Sequence, residues 1–167
     1  MESKARAFGH SIHPMLITFP LGLLGMAVIF DIIYLVTGTT GWTVVSFWMI
    51  AAGVISGLIA AVPGLIDLVT VVPSGSRAAT IGLYHGIGNV VVVVLFAASW
   101  MFRKGRGDGF DMAGIPSTIA LVCSFAGLLL ALVTGWLGGE LVERLGIAVH
   151  EGANPDAPSS LSKRPPV

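Results

Sequence analysis

Four long apolar stretches alternate with short polar segments along the chain. The pattern predicts helices over residues 13–36, 43–72, 80–102 and 116–137. Each meets or exceeds the roughly 20 residues needed to cross about 30 Å of hydrocarbon. The connections 37–42, 73–79 and 103–115 are short, so successive helices are expected as antiparallel neighbours. The expected fold is all-α: an integral membrane antiparallel four-helix bundle over residues 13–149, with both termini on the same side. A polar tail over 1–12 precedes it. Residues 150–167, with Pro155, Pro158, Pro165 and Pro166, are expected to be extended or disordered. The first apolar run is too long for a signal-peptide core and lacks a small-residue cleavage site, so it reads as a retained span.

Composition sharpens this picture. Only 11% of residues are charged and the mean hydropathy is +0.89, whereas soluble domains carry roughly 25% charged residues. A formal net charge of zero argues against nucleic acid as a partner. The lone cysteine, Cys123, excludes an internal disulfide, a cysteine zinc site, an all-cysteine iron–sulfur cluster and covalent haem attachment through two cysteines. Gly53 and Gly57, Gly82 and Gly86, and Gly135 and Gly139 stand four apart, a spacing that lets helix backbones approach closely in lipid. Trp42, Trp48, Trp100 and Trp136 fall near the predicted span ends, as interfacial anchors do. Pro63-Gly64 is expected to kink or loosen the second helix.

The polar residues within this apolar pattern are the candidates for chemistry. His10 and His13 open the first span, with Pro14 suited to a first helical position. An even number of crossings brings His13, Asp67, His85 and Glu140 to one membrane face, and Asn89 shares a helix face with His85. Ionisable residues within spans are costly and by default face the bundle interior and mark function. Asp31 lies toward the opposite face and is expected as an interfacial carboxylate or a partner of Arg103 or Arg106. His10 and His150 read as surface histidines, although an amphipathic segment over 140–149 would return His150 to the bundle mouth.

Two imidazoles from facing helices suit a haem iron. On this reading His13 and His85 ligate a b-type haem, Gly82 and Gly86 leave room for the flat macrocycle, and Asn89, Asp67 or Glu140 act as hydrogen-bond partners or a proton path. The alternative is a non-haem iron or zinc ion held by His13, His85, Asp67 and Glu140. A third reading uses no metal: the polar layer is a hydrogen-bonded network in a structural subunit of a larger membrane complex.

His13-Pro14 with Phe19-Pro20, Gly64-Leu-Ile-Asp67, the helix bearing His85, and Gly135-Trp-Leu-Gly-Gly-Glu140-Leu-Val together resemble a family of four-helix membrane proteins called domain of unknown function 2231. The resemblance covers about residues 8–150. It implies proximity to electron transfer, since some members are associated with Rieske iron–sulfur domains. This chain lacks a Rieske cysteine–histidine pattern, so such a centre would belong to another protein. The expected function is thus a small membrane electron-transfer protein or redox-complex subunit in a bacterial inner membrane. Its expected partners are the lipid bilayer, a membrane redox complex or Rieske-type protein, or further copies of itself. Lys4, Arg6, Arg77 and Arg144 on one side against Arg103, Lys104 and Arg106 on the other favour cytoplasmic termini by the positive-inside rule.

Overall fold

The computed structural model describes residues 1–103, 105 and 113–162. A two-residue hairpin, β1 (Arg6–Ala7) and β2 (His10–Ser11), pairs antiparallel with Arg6 opposite Ser11. Among the described residues five α-helices follow: α1 (Ile12–Leu16), α2 (Thr18–Thr37), α3 (Gly41–Thr70), α4 (Arg77–Met101) and α5 (Thr118–Gly139). A π-helical turn, Glu140–Arg144, extends α5. Four stretches, Ile12–Thr37, Gly41–Thr70, Arg77–Met101 and Thr118–Arg144, are long and apolar enough to cross a membrane.

Local chemistry sets the helix boundaries. The first span is broken at Ile17, because Pro20 has no N–H to bond the Leu16 carbonyl. The ladder restarts at Thr18, which places Pro20 in a first turn where no donor is needed. Gly38, in the left-handed region at φ 69°, ends α2 by bonding the Tyr34 carbonyl. Ser76 and Ser117 cap α4 and α5 by accepting from the amides of Ala79 and Ala120. α3 runs through Pro63-Gly64, with Pro63 buried inside the helix.

Leu24, Ala27, Val28, Ile50, Val92, Phe96 and Ala131 form the buried core. Glycines set the helix spacing there. A Cβ on Gly53 would strike the Leu24 side chain, and one on Gly127 would strike the Phe96 ring. Large apolar side chains such as Ile55, Leu58, Leu129 and Leu132 point outward. In water this would be an aggregation liability, and in a bilayer it is the surface the lipid requires.

At one end of the bundle lies a fully buried ion pair. The Arg103 guanidinium grips Asp31 through both nitrogens, at 2.7 and 2.9 Å, and also donates to Ser46, Ser99 and Ser124. Ser46 donates to the same carboxylate at 2.6 Å. This corrects the interfacial expectation for Asp31, which is 0% exposed. Its partner is Arg103, and Arg106 and Lys104 lie outside the described residues. A buried charge is tolerable only when paired and hydrogen-bonded; the three serines serve the two terminal nitrogens, while the Arg103 Nε is buried without a hydrogen-bond partner. Arg103 is therefore part of the interior rather than a loop cation.

At the other end the terminal segments pack together. The amino terminus donates to the Gly146 carbonyl. Glu2 pairs with Arg6, accepts from the Glu151 amide and lies 3.2 Å from His150 Nε2. Ser160 donates to the Phe8 carbonyl. Desolvation pushes the Glu2 carboxyl up, but the Glu151 amide, Arg6 and His150 together hold it below the usual carboxylate range.

Arg103→Met should destabilise the fold by about 3–5 kcal/mol, because it strands the buried carboxylate. Detergent-denaturation curves followed by circular dichroism check this, and a change within error would contradict the stated role of the pair. For Glu2 the folded pKa is depressed, so its contribution is fully present above the unfolded value of about 4.3 and fades as pH falls through the lower folded value. The Glu2 carboxyl carbon, followed by 13C NMR as the pH is lowered, should therefore titrate below the usual glutamate value of about 4.3, and a midpoint above it would contradict these contacts.

Candidate functional site

His13 lies in α1, which packs on α3. Its Nδ1 is 2.8 Å from the Ala60 carbonyl oxygen. A carbonyl accepts and never donates, so Nδ1 carries a hydrogen, and in the neutral ring Nε2 keeps its lone pair. Pro63 lies one turn further along α3 and, lacking an N–H, leaves the neighbouring Ile59 carbonyl without its ladder donor. His85, in the third turn of α4, repeats the arrangement on α5: its Nδ1 is 2.8 Å from the Thr134 carbonyl oxygen. The two rings face each other with centroids 6.3 Å apart and planes at 86°.

Both rings are seated on glycine. A Cβ on Gly64 would lie 2.8 Å from the His13 ring, and one on Gly138 would lie 3.1 Å from Cε1 of His85. Each glycine stands one helical turn after the residue whose carbonyl the ring uses, Ala60 for Gly64 and Thr134 for Gly138. Asn89, one turn beyond His85, donates to the His85 carbonyl at 2.8 Å and approaches its Nε2 at 3.2 Å. The Thr134 hydroxyl donates to the Asn89 side-chain oxygen at 3.1 Å. This bond also orients the Asn89 amide so that its nitrogen faces the imidazole.

The structure thus brings together His13, His85 and Asn89 but engages the two acids elsewhere. Asp67 is 7% exposed and accepts from the Ser3 hydroxyl at 2.6 Å and from the amides of Lys4 and Ala5. It holds the N-terminal segment against the end of α3. Glu140 faces Arg77 and Arg144 at 3.6 and 3.9 Å. Among the described residues no group of three or more His, Cys, Asp or Glu side chains is placed to hold a metal ion. The space beside Gly82 is occupied by a Leu68 methyl, and nothing lies near Gly86. His10 lies 3.2 Å from the Ser160 hydroxyl, and His150 sits beside Glu2, half-exposed.

Sequence reasoning missed the carbonyls of Ala60 and Thr134 and the role of Gly64 and Gly138 as ring seats. One available signal was the four-residue step from Thr134 to Gly138, which puts a hydroxyl and a glycine on one face of an apolar span. No comparable signal pointed to Ala60.

A family model described as "Predicted membrane protein (DUF2231)" matches residues 9–151. No curated protein and no solved structure matches the chain.

The hydrogen bonds require a proton on Nδ1 of both imidazoles, so the neutral form of each ring is the Nδ1–H tautomer. Histidine-ring 15N spectra of the protein in detergent micelles should show His13 and His85 with protonated Nδ1 and bare Nε2. Asn89→Ala should leave both assignments unchanged, since the carbonyls and not the amide fix the tautomer. A bare Nδ1 on either ring would contradict the geometry.

Proposed function

The chain belongs to this DUF2231 family of predicted membrane proteins, and on that premise we propose that it is a small membrane electron-transfer protein or redox-complex subunit binding a b-type haem through His13 and His85. The observation that carries this reading is the shared anchoring of the two rings. Each donates Nδ1–H to a backbone carbonyl, the arrangement by which proteins orient metal-binding imidazoles and raise their basicity. Each thereby keeps an Nε2 lone pair for a ligand. The separation also suits the assignment. Two imidazoles bound at about 2 Å on opposite sides of one metal have ring centres roughly 6 Å apart, and those of His13 and His85 are 6.3 Å apart.

The donor set favours haem over a bare ion. A haem iron takes four ligands from its macrocycle and asks only two of the protein. A zinc or non-haem iron site asks at least three of the protein, and Asp67 and Glu140 have other partners. Haem bound here would supply a one-electron couple tuned by its axial ligands and burial. The chain's own contribution is orientation: Ala60 and Thr134 fix the ring planes, and Gly64 and Gly138 let both rings lie close to the backbone. Asn89 would give up the 3.2 Å approach to Nε2 and keep its bond to the His85 carbonyl. A bacterial inner membrane as location, and a Rieske-type protein, a redox complex or a second copy as partner, belong to the same proposal.

The Asn89 contact favours a second reading. An amide aimed at the His85 Nε2 also completes a metal-free network, as a structural subunit of a larger membrane complex would use it.

The visible spectrum and pyridine haemochrome of the purified protein, as isolated and after loading with ferric protoporphyrin IX, separate the two. Haem binding predicts one haem per chain and a six-coordinate low-spin spectrum that His85→Ala abolishes. A protein that takes up no haem under either condition belongs to the second reading.

A further inference from the structure

The two halves of the chain repeat one another. Asp31 stands eighteen residues after His13, and Arg103 stands eighteen after His85. In the same register Leu24 corresponds to Phe96, and both are core residues. The second helix of each half matches as closely. Every buried position of α5, namely Ala120, Ser124, Gly127, Ala131 and Thr134, falls seventy-four residues after a position of α3. Four of those α3 positions, Ser46, Ile50, Gly53 and Ala60, are themselves buried.

The contacts repeat along with the positions. A Cβ on Gly53 would meet the side chains of Leu24 and Leu23, and one on Gly127 would meet their counterparts Phe96 and Leu95. His13 bonds the carbonyl of Ala60 and lies on Gly64, as its counterpart His85 bonds Thr134 and lies on Gly138. These matches join unlike residues as well as like ones, so they reflect shared backbone geometry rather than chance glycine spacing.

Residues related by a two-fold rotation touch each other only where the axis passes between them. Two corresponding pairs do so. His13 meets His85 near one end of the bundle and Asp31 meets Arg103 near the other. The axis therefore runs along the bundle, as it does for parallel repeats in membrane proteins. The divergence at the second pair has a reason. Two copies of the first hairpin would set two carboxylates face to face in a dry interior, and two copies of the second would set two guanidiniums there. With one of each, the halves pair only with one another.

We propose that the chain is one helical hairpin duplicated in tandem about a two-fold axis, and that the ligand of the imidazole pair lies on that axis, bound equally by His13 and His85. The chemical class is a single centre with two opposed open coordination positions, of which an iron porphyrin is the example taken above. In that respect the inference rests on the proposed function, while the duplication stands apart from it.

The test uses the full-length protein in detergent with His13→Ala, His85→Ala, Gly64→Ala and Gly138→Ala. Each is titrated with ferric protoporphyrin IX, and the ring 15N spectra of the wild type and the two glycine variants are recorded without it. Equivalence predicts that the two histidine variants give the same single-imidazole spectrum. It also predicts that the two glycine variants, which displace a ring but keep the ligand, weaken uptake by similar factors of about 10–100-fold. Uptake that depends on one histidine alone overturns the axial placement while haem binding stands. If no protein takes up the porphyrin, the haem reading falls and the ring spectra decide the duplication. A shift of the His13 ring in Gly64→Ala matched by that of the His85 ring in Gly138→Ala supports it, and a shift in only one variant overturns it.

Discussion

The guanidinium of Arg103 holds the bundle together at one end by touching all four long helices. It bonds Ser99 of α4, grips Asp31 of α2, and reaches Ser46 of α3 and Ser124 of α5. An ion pair with no exposure to solvent would be destabilising if either partner lacked hydrogen bonds, so the geometry admits little variation. Asp31 lies eighteen residues after His13, across the break at Ile17, and Arg103 lies eighteen after His85, each about 27 Å at 1.5 Å per residue. The two imidazoles meet at one end of the two membrane spans whose other ends the ion pair joins.

Between these polar ends the interior is dry. Leu24, Val28, Ile50, Val92 and Phe96 fill it, and the glycines at 53 and 127 remove the bulk that would keep the helices apart. The imidazole pair and the ion pair are therefore separate polar sites with an apolar core between them. The histidines lie toward the end where the termini interlock. There Asp67 secures residues 3–5, and Glu2 and Ser160 tie the two ends of the chain together. An acid placed near the histidines by sequence thus serves to fasten the segment that flanks them.

The imidazoles themselves are held by backbone. Carbonyls in an α-helix already accept one hydrogen bond, and a second acceptor position remains open on each. His13 and His85 use it, which costs no side-chain partner and fixes the ring plane. The arrangement works only where the facing helix carries no side chain one turn further on, which is why glycine occupies 64 and 138.

Much of this was legible in the residues. Length and hydrophobicity alone determined four spans, because no other structure satisfies the backbone of so apolar a chain in lipid. Chain reversal through short loops brought His13 and His85 to a common level, and helical spacing joined Asn89 to His85. What the residues did not reveal was the fate of the charges. Arg103, Asp31, Asp67 and Glu140 had several partners within reach along the chain, and only packing decided that the first two would bury each other while the others would hold the termini and Arg77. Nor did local pattern disclose the carbonyls that hold the rings, since a backbone acceptor exists at every position and only tertiary contact selects one. Periodicity and polarity are properties of a single helix, whereas the choice of partner is a property of how helices meet.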